Sequence, residues 1–173
     1  YENSKFWRKI IPKKLDNKNF YKIFQKLKII DKNTFLNDQK KFNNILSSFN
    51  SIRIHKTSGT SAKPLFIYLS KKDLEASIIV GSKAFVEAGL QKNDKIVHCL
   101  NFNMWSGGVT DFNCLEHSGT TCVPFGVGNT EQLIKTIIDL KINAISSTPS
   151  YMRIIHEQCK KLNIKPKTLG LKK

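Results

Sequence analysis

The sequence predicts an α/β fold, a mainly parallel sheet flanked by helices, behind an N-terminal helical segment. After residue 64, short apolar runs alternate with longer stretches of helical apolar spacing. The links between runs are long enough to carry the chain back to the same end of a sheet, which parallel pairing requires. Before residue 53, large apolar residues sit in a Lys- and Asn-rich background, and Phe6 with Ile10, and Phe42, Ile45, Leu46 with Phe49, fall at helical intervals. Residues 1–52 are therefore expected to be a helical segment packed on the main domain, and residues 53–173 the α/β portion.

At 173 residues the chain is long enough for one domain with a buried core. It contains no apolar run long enough to cross a membrane and no signal peptide. Tyr1 is not a methionine and Lys172-Lys173 directly follow an apolar run, so both ends read as cut. The formal net charge is +16, but only three of the 29 basic residues are arginines, and basic and acidic side chains are mixed. That pattern is unlike a nucleic-acid-binding arm, so no specific nucleic acid and no membrane is expected as a partner; the charge attracts anions without specifying them. Cys99, Cys114, Cys122 and Cys159 form no C-x-x-C pair. Although His98 adjoins Cys99 and Cys114 precedes His117 by three, they read as core thiols in a reducing cytoplasm, with no metal site.

The elements follow in order. Asp31 and Asn33 are candidate caps for a helix through Phe35 and Leu36. Arg53 to Leu65 is the stretch on which the rest is organised. Thr57-Ser58-Gly59-Thr60-Ser61-Ala62-Lys63-Pro64 suits a loop between two strands that wraps an anion. Gly59 permits close backbone approach, hydroxyls and successive N–H groups can face phosphate oxygens, and Lys63 adds a mobile charge. It is not a Walker A loop, which needs a glycine directly before Lys-Ser/Thr and a helix after it. Leu65 to Leu69 reads as a strand. Ser70 and Asp73 form a capping-box pattern opening a helix with Leu74, Ile78, Phe85 and Val86 on its apolar stripe and Gly89 as its stop.

Lys95 to Leu100 is the next strand. The loop Asn101 to Gly108 follows at its C-terminal end, where open α/β sheets place ligand-binding residues, and leads into a helix with Phe112, Leu115 and His117. Gly119 to Pro124 reads as a strand. Asn129 then caps a helix carrying Leu133, Ile134, Ile137, Ile138 and Leu140. Ile142 to Ser147 is a buried strand, and Pro149 opens a helix with Met152, Ile154, Ile155 and Cys159. Lys167 to Lys173 is expected to open one more strand.

The run Thr57 to Pro64 resembles the Ser/Thr-Ser-Gly-Thr-Thr/Ser-Gly-Lys-Pro loop of the adenylate-forming (AMP-binding, acyl-CoA synthetase) superfamily, with Ala62 in place of the second glycine. Five further stretches resemble its phenylacetate-CoA ligase branch. They are Tyr1 to Arg8 with Leu27 to Lys32, the aromatic-Ser-Gly-Gly segment Trp105 to Gly108, the Gly-Asn-Thr-Glu turn at Gly128 to Glu131, and Thr148-Pro149-Ser150-Tyr151.

The resemblance implies the front part of the adenylate-forming large domain. It implies an ATP-dependent carboxylic acid:CoA ligase acting through an acyl-adenylate, with ATP, Mg²⁺ and coenzyme A, and an aryl or alkyl acid as substrate. Thr57, Ser58, Gly59, Thr60, Ser61 and Lys63 would hold the β- and γ-phosphates; Thr60 would also orient Mg²⁺. Trp105, Gly107, Gly108, Thr148 and Tyr151 would shape the acid pocket. No residue here is assigned as catalytic. The adenine motif, the ribose-binding aspartate and the C-terminal domain's lysine are expected beyond Lys173, so this stretch alone is expected to be inactive. A homodimer is the candidate assembly. Two other readings stay open: an acid-adenylating enzyme of polysaccharide or secondary metabolism that does not use coenzyme A, and a non-catalytic truncated binding module.

Overall fold

The structure, a computed structural model, describes residues 11, 18–27, 29–31, 33, 36, 51–58 and 63–173. The helical spacing at Phe6 and Ile10 and at Phe42 to Phe49, the cap at Asn33 into Phe35, and Lys32 involve residues outside this set. Within it, α1 (Phe20–Lys26) stacks Phe20 on Phe24, ring centroids 5.9 Å apart, and buries none of its residues.

Two strands follow. β1 (Ser51–Lys56) and β2 (Phe66–Ser70) pair antiparallel, with Ile54 opposite Tyr68 and His55 opposite Ile67. This corrects the sequence reading in two respects. β1 takes in Ser51 and Ile52, the last residues of the segment expected to be helical. The strand expected at 65–69 does not enter the parallel sheet but forms a separate ribbon with β1. The physical reason is the length of the link: residues 57–65 are too few for a parallel crossover, and a connection that short closes an antiparallel hairpin.

α2 (Lys71–Glu87) begins with the expected capping box. The Ser70 backbone N–H donates to Asp73 Oδ2 at 2.8 Å, and the Asp73 N–H donates to Ser70 Oγ at 3.3 Å. It ends before Gly89, whose φ of +103° only glycine adopts without strain. Leu74 is buried and Ile78 and Phe85 are half-buried, but Val86 is 48% exposed and lies off the packed stripe. Gly81 instead marks the contact with the next helix, because a Cβ there would lie 2.5 Å from Cys114 Sγ.

From residue 95 the chain is the predicted α/β unit. Its strands are β3 (Lys95–His98), β4 (Thr121–Pro124) and β5 (Ala144–Ser146), all parallel, in the order β4-β3-β5. The crossovers contain α3 (Ser106–His117) and α4 (Thr130–Asp139); α5 (Pro149–Lys161) follows β5. The chain leaves β3 toward β4 on one side and then crosses to β5 on the other, so right-handed crossovers put α3 and α4 on opposite faces.

Two clusters show those faces. Val97 and Cys99 pack with Leu133, Ile134, Ile137, Ile155 and Cys159, while Ile96 packs with Leu90, Leu115 and Ala144. Alternation along β3 thus feeds both layers. Asn129 caps α4 by accepting from the Gln132 N–H at 3.1 Å, as expected, whereas Leu140 lies past the last helical turn and is exposed.

The final strand expected from Lys167 is also corrected. A 3₁₀ turn spans Pro166–Leu169 and ends at Gly170 in the left-handed region. Only then does the chain run beside β5, where the Lys172 N–H donates to the Asn143 carbonyl and the Ile145 N–H to that of Lys173. Pro166 fixes a helical first turn where the sequence was read as extended.

The cysteines are all free thiols, three buried and Cys122 half-buried. Burial pushes Cys99 and Cys122 up to about 12. No group of three or more ligating side chains that could hold a metal occurs among the described residues. Cys99, just past the end of β3, packs in the cluster of Val97, whereas the His98 ring meets Gly108 and Ser146. No helix of the described residues is long and apolar enough to cross a membrane.

Candidate functional site

The hairpin between β1 and β2 is shut at its root. The Thr57 N–H donates to the Leu65 carbonyl at 3.0 Å, and the Leu65 N–H donates to Thr57 Oγ1 at 3.0 Å. The Thr57 hydroxyl oxygen is thus engaged in closing the loop. Ser58 and Lys63 are exposed on either side of its tip. Gly59, Thr60, Ser61 and Ala62 lie outside the described residues.

The ribbon that carries this loop docks on the segment after β3. The Lys56 N–H donates to the Met104 carbonyl at 2.8 Å, and His55 Nδ1 lies 3.3 Å from the same oxygen. His55 Nε2 is 3.5 Å from Thr110 Oγ1, and Arg53 Nη2 donates to Asn113 Oδ1 at 3.1 Å. Arg53 and His55 alternate onto one face of β1, so both reach α3. Three hydrogen-bonding residues of one strand therefore fix the root of the loop against Met104 and the half-buried Thr110 and Asn113 of α3.

The Asn101–Trp105 loop is shaped by its own backbone. The Asn103 N–H donates to Asn101 Oδ1 at 2.8 Å, and the Trp105 N–H donates to the Asn103 carbonyl. Trp105, 48% exposed, caps the start of α3 and lays its ring over Gly107. A Cβ on Gly107 would meet that ring at 2.8 Å. A Cβ on Gly108 would overlap the Asn101 carbonyl. Both glycines are therefore required by close approach: Gly107 by a side chain, Gly108 by backbone.

Behind Gly108 is a buried histidine that the sequence reading considered only as a possible metal ligand. His98, fully buried, places Nε2 2.9 Å from the Gly108 carbonyl oxygen and Nδ1 3.0 Å from Ser146 Oγ. Phe102 and Phe112 flank its ring at 5.7 and 6.1 Å. Burial lowers its pKa, opposed by the Gly108 carbonyl and by Asp111, whose own carboxyl is raised by burial. The signal for it was a polar side chain inside the apolar run of β3; its partners are remote in sequence.

Thr148 and Tyr151 stand at the end of β5. Thr148 is exposed at the cap position of α5, its hydroxyl 3.1 Å from Ser150 Oγ. Tyr151 is half-buried against the α4–α5 core, with its hydroxyl 3.3 Å from Thr130 Oγ1. Trp105, Gly107 and Gly108 thus form one contiguous group with the ribbon, and Thr148 and Tyr151 a second at the neighbouring strand end. The two are tied by the His98–Ser146 bond and by backbone, since the Cys99 N–H donates to the Ser146 carbonyl at 2.8 Å. β3 and β5 are adjacent while the crossover from β3 leads away from β5, so their C-terminal ends flank a topological switch point, where open α/β sheets bind ligands.

No protein-family model matches the sequence. Over 119 residues the chain is 30% identical to a phenylacetate-coenzyme A ligase of Thermus thermophilus, covering 69% of this chain and 27% of that protein. It is likewise 30% identical over 120 residues to the protein of the same name from Aromatoleum evansii, covering 69% and 27%. The chain is a sequence relative of the phenylacetate-coenzyme A ligases. It spans about a quarter of the length of these relatives. The fold agrees: a solved 2-hydroxyisobutyryl-CoA ligase, in complex with 2-HIB-AMP and CoA, superposes on 99% of this chain and 38% of its own with a TM-score of 0.85 at 20% identity. The architecture is that of part of an adenylate-forming enzyme.

Proposed function

We propose that the full-length protein is an ATP-dependent carboxylic acid:CoA ligase that works through an acyl-adenylate. The observation that carries this is the closed hairpin at Thr57–Leu65, docked through Lys56 and His55 onto the Met104 carbonyl beside Trp105 and the paired glycines. This docking supports reading the loop as the holder of phosphate and the neighbouring segment as a lining of the acid. The names of the relatives support the same chemistry.

In the first step a carboxylate oxygen attacks the α-phosphorus of ATP, the bond to the β-phosphate breaks, and acyl-adenylate and pyrophosphate result. Coenzyme A thiolate then attacks the acyl carbon and AMP leaves. The chain's own residues position and neutralise charge. Ser58, Gly59, Thr60, Ser61 and Lys63, with the Thr57 hydroxyl, would hold the leaving β- and γ-phosphates. Trp105, Gly107, Gly108, Thr148 and Tyr151 would line the acid. The Thr60 hydroxyl would help orient Mg²⁺, which would supply charge neutralisation at the phosphates. The free thiols fit a cytoplasmic setting.

Acid-dependent ATP–pyrophosphate exchange by the full-length protein, using phenylacetate and a panel of aryl and alkyl acids, tests the first step. Thioester formation on adding coenzyme A tests the second. Lys63→Ala should cut exchange on the order of 100-fold while leaving the unfolding transition in place. Unchanged exchange removes Lys63 from the mechanism.

A further inference from the structure

We propose that His98 is a positioning residue for the acid pocket, holding the first turn of α3 and the end of β5 in one fixed register through a single tautomer; this rests on the ligase reading above. A carbonyl only accepts, so the 2.9 Å contact requires that Nε2 carry the proton and donate to Gly108. Nδ1 then presents a lone pair, and the Ser146 hydroxyl donates to it across 3.0 Å. One neutral ring satisfies both partners.

The geometry around it is closed. Gly108 is pressed against the Asn101 carbonyl on one side and bonded to His98 on the other, so the α3 start is clamped between the two ends of the loop that carries Trp105. The His98 carbonyl in turn accepts from the Gly126 N–H at 2.9 Å. The segments leaving β3, β4 and β5 are therefore all tied to this one residue, and two of them bear the residues assigned to the acid. Asp111 is the charged group that acts on the ring, and Phe102 and Phe112 keep it dry. An apolar side chain would fill the same space, but it would not specify the distance between the Gly107-Gly108 turn and the strand end before Thr148.

Side-chain length separates the partners. His98→Gln can carry an amide N–H to the Nε2 position and keep the Gly108 bond, His98→Asn can reach only the Nδ1 position, and His98→Met fills space alone. In the full-length protein, pyrophosphate exchange is measured with the acid that the wild type uses best. His98→Met and His98→Asn should raise the KM for acid about tenfold, with the KM for ATP within about twofold, and His98→Gln should recover most of the loss. Equal behaviour of Gln and Met overturns the proposal, as does a KM for ATP that moves as much as that for acid. A wild type without acid-dependent exchange overturns the ligase reading instead. Independently of activity, nitrogen NMR of the wild-type ring at neutral pH should show protonated Nε2 and unprotonated Nδ1. The opposite tautomer or an imidazolium at neutral pH overturns the proposal even where the variants fail to fold. Ser146→Ala, which leaves the imidazole in place, should raise the KM for acid in the same sense.

Discussion

The β1–β2 ribbon and the β3–α5 unit are held by different forces. In the β3–α5 unit, Leu133, Ile134, Ile137, Ile155 and Cys159 are closed off from solvent against β3. In the ribbon, Ile52 is 62% and Ile54 45% exposed, Phe66 and Ile67 are open as well, and His55 is the buried residue. The unit stands on apolar burial, which is non-directional and large in sum. The ribbon stands on a few directed hydrogen bonds from Arg53, His55 and Lys56, and a two-stranded hairpin has little stability of its own. The stretch assigned to phosphate thus sits on the less buried element, while the acid-side residues spring from the core. Ligand-binding loops are commonly drawn from regions of low local stability.

The most severe way to break this contrast is a pair of truncations. Ile137→Ala empties a fully buried site and should cost about 2–5 kcal/mol in urea unfolding. Ile54→Ala on the outer face of the ribbon should cost about 1 kcal/mol or less. Equal costs in the full-length protein would mean that the ribbon's outer face is covered in solution, and that its looseness belongs only to this stretch of chain.

Next in size is the pair of glycines at the junction of the two regions. At Gly108 an added methyl meets the Asn101 backbone, which moves only by displacing the whole loop, so Gly108→Ala should cost about 1–3 kcal/mol and most acid-dependent exchange. At Gly107 the obstacle is the Trp105 ring, a half-exposed side chain that can swing aside. Gly107→Ala should therefore be the milder change in stability. A reversed order would show that the aromatic loop yields more readily than its tryptophan.

The same division decides what could be read from the sequence. Features set by neighbouring residues were legible: the Ser70–Asp73 capping box, Gly89 after α2, Asn129 before α4, and Pro149 opening α5. Each is a contact over a few residues with one dominant chemical solution. The pairing of β1 with β2 was hidden, because an apolar run such as Phe66 to Leu69 does not state whether its partner is parallel or antiparallel. Val86 and Leu140 looked like continuations of apolar stripes, but they lie where the helix has turned away from its neighbour. The 3₁₀ turn at Pro166 was masked by the apolar residues around it. For the candidate site, the loop and the paired glycines announced themselves by composition. His98, Ser146 and Met104 did not, because their roles come from contacts 10 to 49 residues away in sequence.

The smallest expected effect lies at the foot of the α/β unit, away from the loops that leave its strand ends. Asp94 Oδ2 accepts from the Gln91 N–H at 2.7 Å and from Lys173 Nζ at 2.8 Å, and Oδ1 accepts from Asn143 Nδ2 at 2.7 Å. These bonds, that from Lys173 foremost, hold its carboxyl down to about 2. A carboxylate whose folded value lies below its unfolded one, about 3.9, stabilises the fold fully above that unfolded value. The contribution is lost as pH falls from there through about 2. Urea unfolding of the wild type should therefore weaken over that acid window, and Asp94→Asn, which keeps the shape but not the charge, should flatten part of the slope. The same substitution should leave hydrogen exchange of the β1–β2 amides unchanged at neutral pH, because no bond of Asp94 reaches the ribbon. If the ribbon amides speed up with it, the two regions unfold as one, and the contrast between directed bonds and apolar burial does not extend to their dynamics.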